Sequence, residues 1–266
     1  REKLLTALGI DLNGLKIPAT HTDTAASNTK VYGAEQLREQ GGCWGVTAAV
    51  YGLKSDRNWG VGDFEDLAVL AEIMAAKGAD FVGINPVHAL FPSAPDLYAP
   101  YSPSSRRFLN VMSIAPDKIT DLPDDPGIDI KALRASEHVD YAAVYAAKMQ
   151  AFEAAFKAFS SLPKTSKRRK SFDAFREKNG TDLQTHALFD TLFEALPAKK
   201  KTYDGWKNFA KKYANPTSKA CRKFAEGHKD RIAFYAYLQW IAHTQLTDAQ
   251  QRAKAAGMSI GLYLDF

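Results

Sequence analysis

The sequence predicts an α/β fold built around a parallel sheet. Three observations carry this. Two short apolar runs are bounded by glycines, an amphipathic helical pattern separates them, and a third apolar run closes the chain after a long helical stretch. Strands read as apolar runs of four to eight residues when both faces are buried, whereas helices repeat every three to four positions. The first run, helix and second run form a strand-loop-helix-strand unit of about 45 residues, the crossover that parallel pairing requires.

The first strand is Cys43-Trp44-Gly45-Val46-Thr47-Ala48-Ala49-Val50-Tyr51, introduced by Gly41 and Gly42. A loop with Asp56, Arg57, Asn58 and Trp59 follows. Asp63 is placed to cap the next helix, and Glu65 and Asp66 suit its first turn, where exposed amides and the helix dipole favour carboxylates. Phe64, Leu67, Leu70, Ala71 and Met74 mark its buried face, and Gly78 ends it. Ala79 to Pro86 is the second strand. Before all this, Leu4 to Leu8 reads as a short helix, and the Thr-, Ser- and Asn-rich stretch from Asn13 to Asn28 as a linker, so residues 1–40 form an N-terminal segment apart from 41–266.

After Pro86 comes a long loop, from His88 to about Pro116, with five prolines plus Tyr98 and Tyr101. Loops of this length in compact domains are usually functional, and Phe108, Leu109, Val111, Met112 and Ile114 predict that it is packed down. Glu137 to Phe159 is the strongest helix, with Tyr141, Tyr145, Met149, Phe152, Phe156 and Phe159 on one face. Further helices are expected over 172–178, 182–196, 203–213 and 224–256. Tyr145, Phe156, Trp206 and Trp240 have core spacing. Met258 to Phe266 is the third strand. The helices read as an insert at about 120–225 after strand two, and the three-stranded sheet as a fold broken off midway, poorly stable in isolation.

The chain of 266 residues carries a net charge of +5 and is 45% hydrophobic, the profile of an ordinary globular protein. Its basic runs, 164–170 and 199–201, lack interleaved aromatics and read as solvated connections, which argues against nucleic acid as a partner. Cys43 and Cys221 form neither a disulfide framework nor a zinc motif, favouring a reducing, cytoplasmic setting. No run is long enough to span a bilayer, so no membrane partner is expected. No phosphate-cradling glycine motif is present.

Four stretches resemble the amylomaltase (disproportionating enzyme) family of 4-α-glucanotransferases, glycoside hydrolase family 77. They are Trp44-Gly45-Val46 with the run Tyr51-Gly52-Leu53-Lys54-Ser55-Asp56-Arg57-Asn58-Trp59-Gly60-Val61-Gly62-Asp63-Phe64; Gly78 to Pro92; Ala99-Pro100-Tyr101-Ser102-Pro103-Ser104-Ser105-Arg106-Arg107-Phe108-Leu109-Asn110; and Gln239-Trp240 with Gly257 to Asp265. The resemblance covers most of residues 43–266; residues 1–40 lack the β-rich extension of the family's longer members. It implies an incomplete (β/α)8 TIM barrel, about the first three strands, with a helical insertion after strand 2. It also implies transfer of α-1,4-glucan segments among malto-oligosaccharides, starch or glycogen with retention, by an Asp nucleophile, a Glu acid/base and a supporting Asp. These would fall beyond Phe266, so no catalytic residue is assigned. A truncated, non-catalytic glucan-binding fragment is the alternative. The glycosidic bond activates its own sugar, so no cofactor or metal is implied.

Sugar rings are held by aromatic faces together with directed polar groups. Tyr101 offers both, and the resemblance puts it in the donor site beside the scissile bond; the lesser reading is a tyrosine packed within a proline-rich loop. Ser102 reads as a hydroxyl partner or a loop pin, His88 as a site residue or a satisfied buried imidazole, and Asp265 as support for the sugar site or a strand-end cap. Asn85 and Pro86 are expected to set the strand end, Asn110 a turn, and Arg106 and Arg107 to anchor carbonyls or acidic neighbours.

Overall fold

A computed structural model describes residues 42–125 and 127–265, which fall almost wholly in the second of the chain's two units, 44–266. The order is β1 (Gly45–Ala48), α1 (Phe64–Ala75), β2 (Phe81–Ile84), β3 (His88–Ala89), β4 (Ser105–Leu109), α2 (Ile130–Ala135), α3 (Tyr141–Ser160), α4 (Lys167–Glu194), α5 (Lys219–Gly227), α6 (Lys229–Ala255) and β5 (Gly261–Leu264). The expected helix over 4–8 and the linker over 13–28 lie outside the described residues.

All three expected strands form one parallel sheet in the order β1-β2-β5. The row Val46, Val82, Leu262 points toward the helices, with Val82 fully buried. The alternate row Thr47, Gly83, Tyr263 points the other way, and Tyr263 is 63% exposed. This alternation follows from the pleat. Gly45 is required where it stands, because a Cβ there would lie 2.3 Å from the Phe81 carbonyl oxygen.

The first helix starts as its sequence dictates. Asp63 Oδ1 accepts from the amides of Glu65 and Asp66, both at 3.1 Å, and Asp66 Oδ2 accepts from the Asp63 amide at 3.2 Å. This reciprocal box satisfies amides with no intrahelical partner. The preceding loop is built onto the same carboxylates. Arg57 pairs with Asp63, Asp66 and Asp117, and Asn58 Nδ2 donates to Asp66 Oδ2 at 2.9 Å. Trp59 inserts beside Ala147 and Ala151 of α3. Below this network lies Lys148, fully buried, its ammonium donating to the carbonyls of Met112 at 2.6 Å and Ile114 at 2.9 Å.

Helix α6 joins the sheet to the other helices. Toward its C-terminal end it packs on α1 and β5, and Arg252 clamps Glu72 through Nε and Nη2 at 2.8 and 2.9 Å while its Nη1 reaches Glu65 at 2.7 Å. Its earlier turns bury Phe234, Tyr237 and Trp240 against Phe156, Phe159 and Phe172. Tyr145 and Trp240, each 4% exposed, are core as their spacing predicts.

Several expectations are corrected. Residues 172–178 and 182–196 are one helix, α4, kinked at Gly180 (φ 49°, ψ −131°), while 224–256 is divided at His228 into α5 and α6. No helix forms over 203–213; three short 3-10 turns span 198–213 instead. There the Thr202 hydroxyl donates to Asp204 at 2.7 Å, Asn208 Nδ2 bonds the Thr202 carbonyl at 2.9 Å, and Gly205 takes φ +59°. Such local polar bonds compete with the helix. The basic runs are not simply solvated connections. Residues 167–170 begin α4, with Arg168 paired to Asp121 and lying 4.5 Å over Trp240, and Lys201 donates to the Ser93 carbonyl at 2.9 Å. Among the described residues no helix is long and apolar enough to cross a membrane.

Candidate functional site

Parallel pairing in register brings the ends of the three strands together. Ala48 lies opposite Ile84, and Ile84 opposite Leu264, so the residues that follow, Ala49, Asn85 and Asp265, emerge at one edge. In parallel α/β sheets this carboxyl edge is where ligand sites form, because the loops leaving it converge. Asn85 ties two of the ends, its Oδ1 accepting from the Val50 amide at 2.8 Å and its Nδ2 donating to the Pro86 carbonyl at 2.9 Å. The expectation that Asn85 sets the strand end therefore holds.

The long loop contains structure of its own: β3 and β4 pair antiparallel, His88 opposite Leu109 and Ala89 opposite Ser105, across an irregular register. Its fixing is extensive. Phe91, 1% exposed, inserts among Phe193, Phe189 and Tyr203 at 4.9, 6.3 and 5.8 Å between ring centres. Ser104 Oγ donates to the carbonyls of Ala89 and Leu90 at 3.0 and 2.6 Å. Two glutamines of α6 clasp its far end: Gln239 exchanges two bonds with Leu109 at 2.8 and 3.0 Å, and Gln245 two with Ala115 at 2.8 and 2.9 Å. Asn110 accepts from the Met112 amide at 3.1 Å, a turn residue as expected.

From this anchored base the Tyr101 ring projects, 70% exposed, the most exposed of the large hydrophobic side chains among the described residues. Ser102 is also exposed, its amide bonded to the Ala99 carbonyl at 3.1 Å. Pinning of the loop falls to Ser104. His88 is buried at 7% exposure, and burial holds its imidazole below the ordinary value; Arg106 acts in the same direction and Asp265 opposes it. Asp265 thus lies near enough to act on His88, although the two are far apart in the sequence. Arg107 pairs with Asp182 at 2.7 Å, an acidic neighbour as expected.

Aromatic residues border the same edge. Tyr98 stacks on Tyr141 with ring centres 4.2 Å apart and planes within 3°. With Tyr51, Asn85, Pro100 and Tyr145 they line a crevice of about 30 Å³, room for a water molecule and little more. The stacked pair was not among the expected site residues; its signal was Tyr98 inside the loop and Tyr141 at the start of a helix, joined only by the fold. A larger groove, about 1160 Å³ between α4, α5 and α6, has no aromatic lining and so lacks a platform for a pyranose face.

The described residues thus form a parallel α/β sheet whose carboxyl edge carries an anchored, tyrosine-bearing loop. Residues 48–266 match the 4-alpha-glucanotransferase family, and the chain belongs to it. It is similar to the 4-alpha-glucanotransferase of Haemophilus influenzae, 36% identical over 241 residues, covering 84% of this chain and 34% of the relative. It is also similar to that of Mycobacterium tuberculosis, 34% identical over 239 residues, covering 84% and 32%. Among solved structures it resembles amylomaltase from Corynebacterium glutamicum (TM-score 0.65, 32% identity, 83% of this chain and 29% of that one). Amylomaltase from Streptococcus agalactiae in complex with acarbose shares the fold (TM-score 0.65, 18% identity, 84% and 43%). The chain spans about a third of the length of the curated relatives it matches.

Proposed function

We propose that the loop from Leu90 to Ser104 forms one wall of an α-1,4-glucan site, and that the whole protein is a 4-alpha-glucanotransferase acting on malto-oligosaccharides and on starch- or glycogen-type chains. The observation that carries this is Tyr101. A large aromatic ring held 70% exposed, on a loop otherwise fastened by buried Phe91 and Ser104, leaves a face open for a sugar. The acarbose complex of the Streptococcus agalactiae amylomaltase supports an oligosaccharide as the ligand class.

In this reading the parallel strands β1, β2 and β5 are the first three of a (β/α)8 barrel, residues 1–40 are a separate segment, and the helices at about 120–225 are an insertion after the second strand. Transfer proceeds by double displacement with retention. An Asp attacks the anomeric carbon while a Glu protonates the leaving oxygen, and the acceptor hydroxyl then takes the glucosyl unit as the Glu recovers its proton. Those carboxylates are supplied by chain beyond residue 266. Tyr101 covers a ring face, Ser102 bonds a hydroxyl, and Asp265 with His88 supports the donor sugar from the strand ends. The setting is cytoplasmic. The family match over 48–266 weighs against a non-catalytic fragment.

The test is to give the full-length protein maltotriose and separate the products. Glucose together with longer malto-oligosaccharides is expected. Tyr101→Ala should raise KM about tenfold, since stacking and burial of one aromatic face are worth about 1–2 kcal/mol, with the melting temperature unchanged because the ring is exposed. Unchanged maltotriose would overturn the activity, and an unchanged KM the role of Tyr101.

A further inference from the structure

A second groove, about 680 Å³, runs between the loop after β1 and the segment around α2. That volume falls in the range of small-molecule sites. Its lining is strongly basic: Lys54 from the loop, and Lys131, Arg134 and His138 from the facing segment, against a single carboxylate, Asp56. Among the described residues none of these four basic side chains has an ion-pair partner within reach. Two aspartates flanking the segment are occupied elsewhere. Asp129 accepts from the Ala132 amide at 3.1 Å to cap α2, and Asp140 from the Ala143 amide at 3.0 Å to cap α3.

The walls are held in place. Asn58, 3% exposed, bonds Asp66 and the Leu53 carbonyl, and its Oδ1 accepts from the Gly60 amide at 3.3 Å. Gly60 takes φ +81°, and a Cβ on it would lie 2.6 Å from the Leu133 carbonyl oxygen, so loop and α2 meet at van der Waals contact beneath the groove. Lys54 Nζ reaches across to the Glu137 carbonyl at 3.5 Å, but among the described residues neither it nor Lys131 or Arg134 has a carboxylate to neutralise it, and repulsion between cations on facing walls is relieved by an anion bridging them. Two ammonium groups and a forked guanidinium suit the several oxygens of a dianion better than the single charge of a carboxylate.

We propose that this groove binds a phosphoryl group, either inorganic phosphate or a phosphate monoester on a sugar. The site does not depend on the glucan reading.

Calorimetric titration of the full-length protein at low ionic strength, with orthophosphate, glucose 6-phosphate and glucose in separate runs, tests it. Saturable binding of the phosphoryl compounds but not of glucose at this groove is expected, weakening as salt is added. Lys54→Ala with Lys131→Ala, both exposed and on opposite walls, should weaken it about tenfold, as two charge-assisted contacts are lost. Lys199→Ala with Lys200→Ala should leave it unchanged. Tighter binding of glucose 6-phosphate assigns the sugar ester, and equal affinity assigns the free anion. The site is refuted if neither phosphoryl compound saturates, if the groove variant binds as tightly as the parent, or if the distant variant loses as much.

Discussion

At the scale of single residues, the site depends on side chains that hold backbone. Asn85 spends both ends of its amide on the backbone just past β1 and β2, and leucine at this position strands the Val50 amide. An unsatisfied buried donor costs about 1–3 kcal/mol. Asn85→Leu should therefore lower the midpoint of chemical denaturation by that free energy while leaving its slope unchanged; an unchanged midpoint would mean the bond contributes nothing. Some of this was legible in advance. Asp63 as a cap, Asn85 as a strand-end residue and Asn110 as a turn residue follow from local chemistry, because each acts within a few positions or at a boundary that composition marks. The stacking of Tyr98 on Tyr141 was not legible, since it joins residues brought together only by the packing of the loop on a helix.

At the scale of elements, α6 ties the loop to the rest. Gln239 closes a two-bond clasp on Leu109, the residue that pairs with His88, so the side-chain amide acts as one more rung of the β3-β4 ladder. Beside it His186 stacks on Phe108 at 4.4 Å and faces Asp190, and burial drives both toward their neutral forms, the imidazole down to about 3. Gln239→Leu should cost about 2 kcal/mol by stranding both backbone groups. Hydrogen exchange should then quicken at Leu109 and His88 more than in β2, and uniform acceleration would contradict a local clasp. Helix periodicity located α1, α3 and most of α4 and α6, because one apolar face per helix is buried. It failed over 203–213, where Thr202, Asp204 and Asn208 bond one another, and at 167–170, where the guanidinium groups of Arg168 and Arg169 lie over the rings of Trp240 and Phe159.

At the scale of the whole molecule, a buried charge shapes stability. Burial lowers the Lys148 amine from its ordinary 10.5 to about 8, with nearby Asp63 acting in the opposite sense. Between about pH 8 and 10 the unfolded chain therefore binds more protons than the folded one, so raising the pH through that window favours folding. The melting temperature should rise over it relative to Lys148→Met, in which the slope disappears; parallel curves would show that Lys148 does not titrate there. The parallel sheet was readable from three apolar runs and one amphipathic helix. Its open face follows from three parallel strands standing alone, but the reach of α6 across α1, β5 and the other helices was not readable, since which surfaces meet is decided by packing rather than by periodicity.

On the proposed function, Tyr101 presents a sugar platform at the carboxyl edge of the sheet. The most direct measurement is a crystal structure of the full-length protein soaked with a malto-oligosaccharide. A glucose ring lying on the Tyr101 face, with Asp265 and His88 on the same side, is the expected result. An oligosaccharide bound elsewhere, with Tyr101 turned toward solvent, would contradict it.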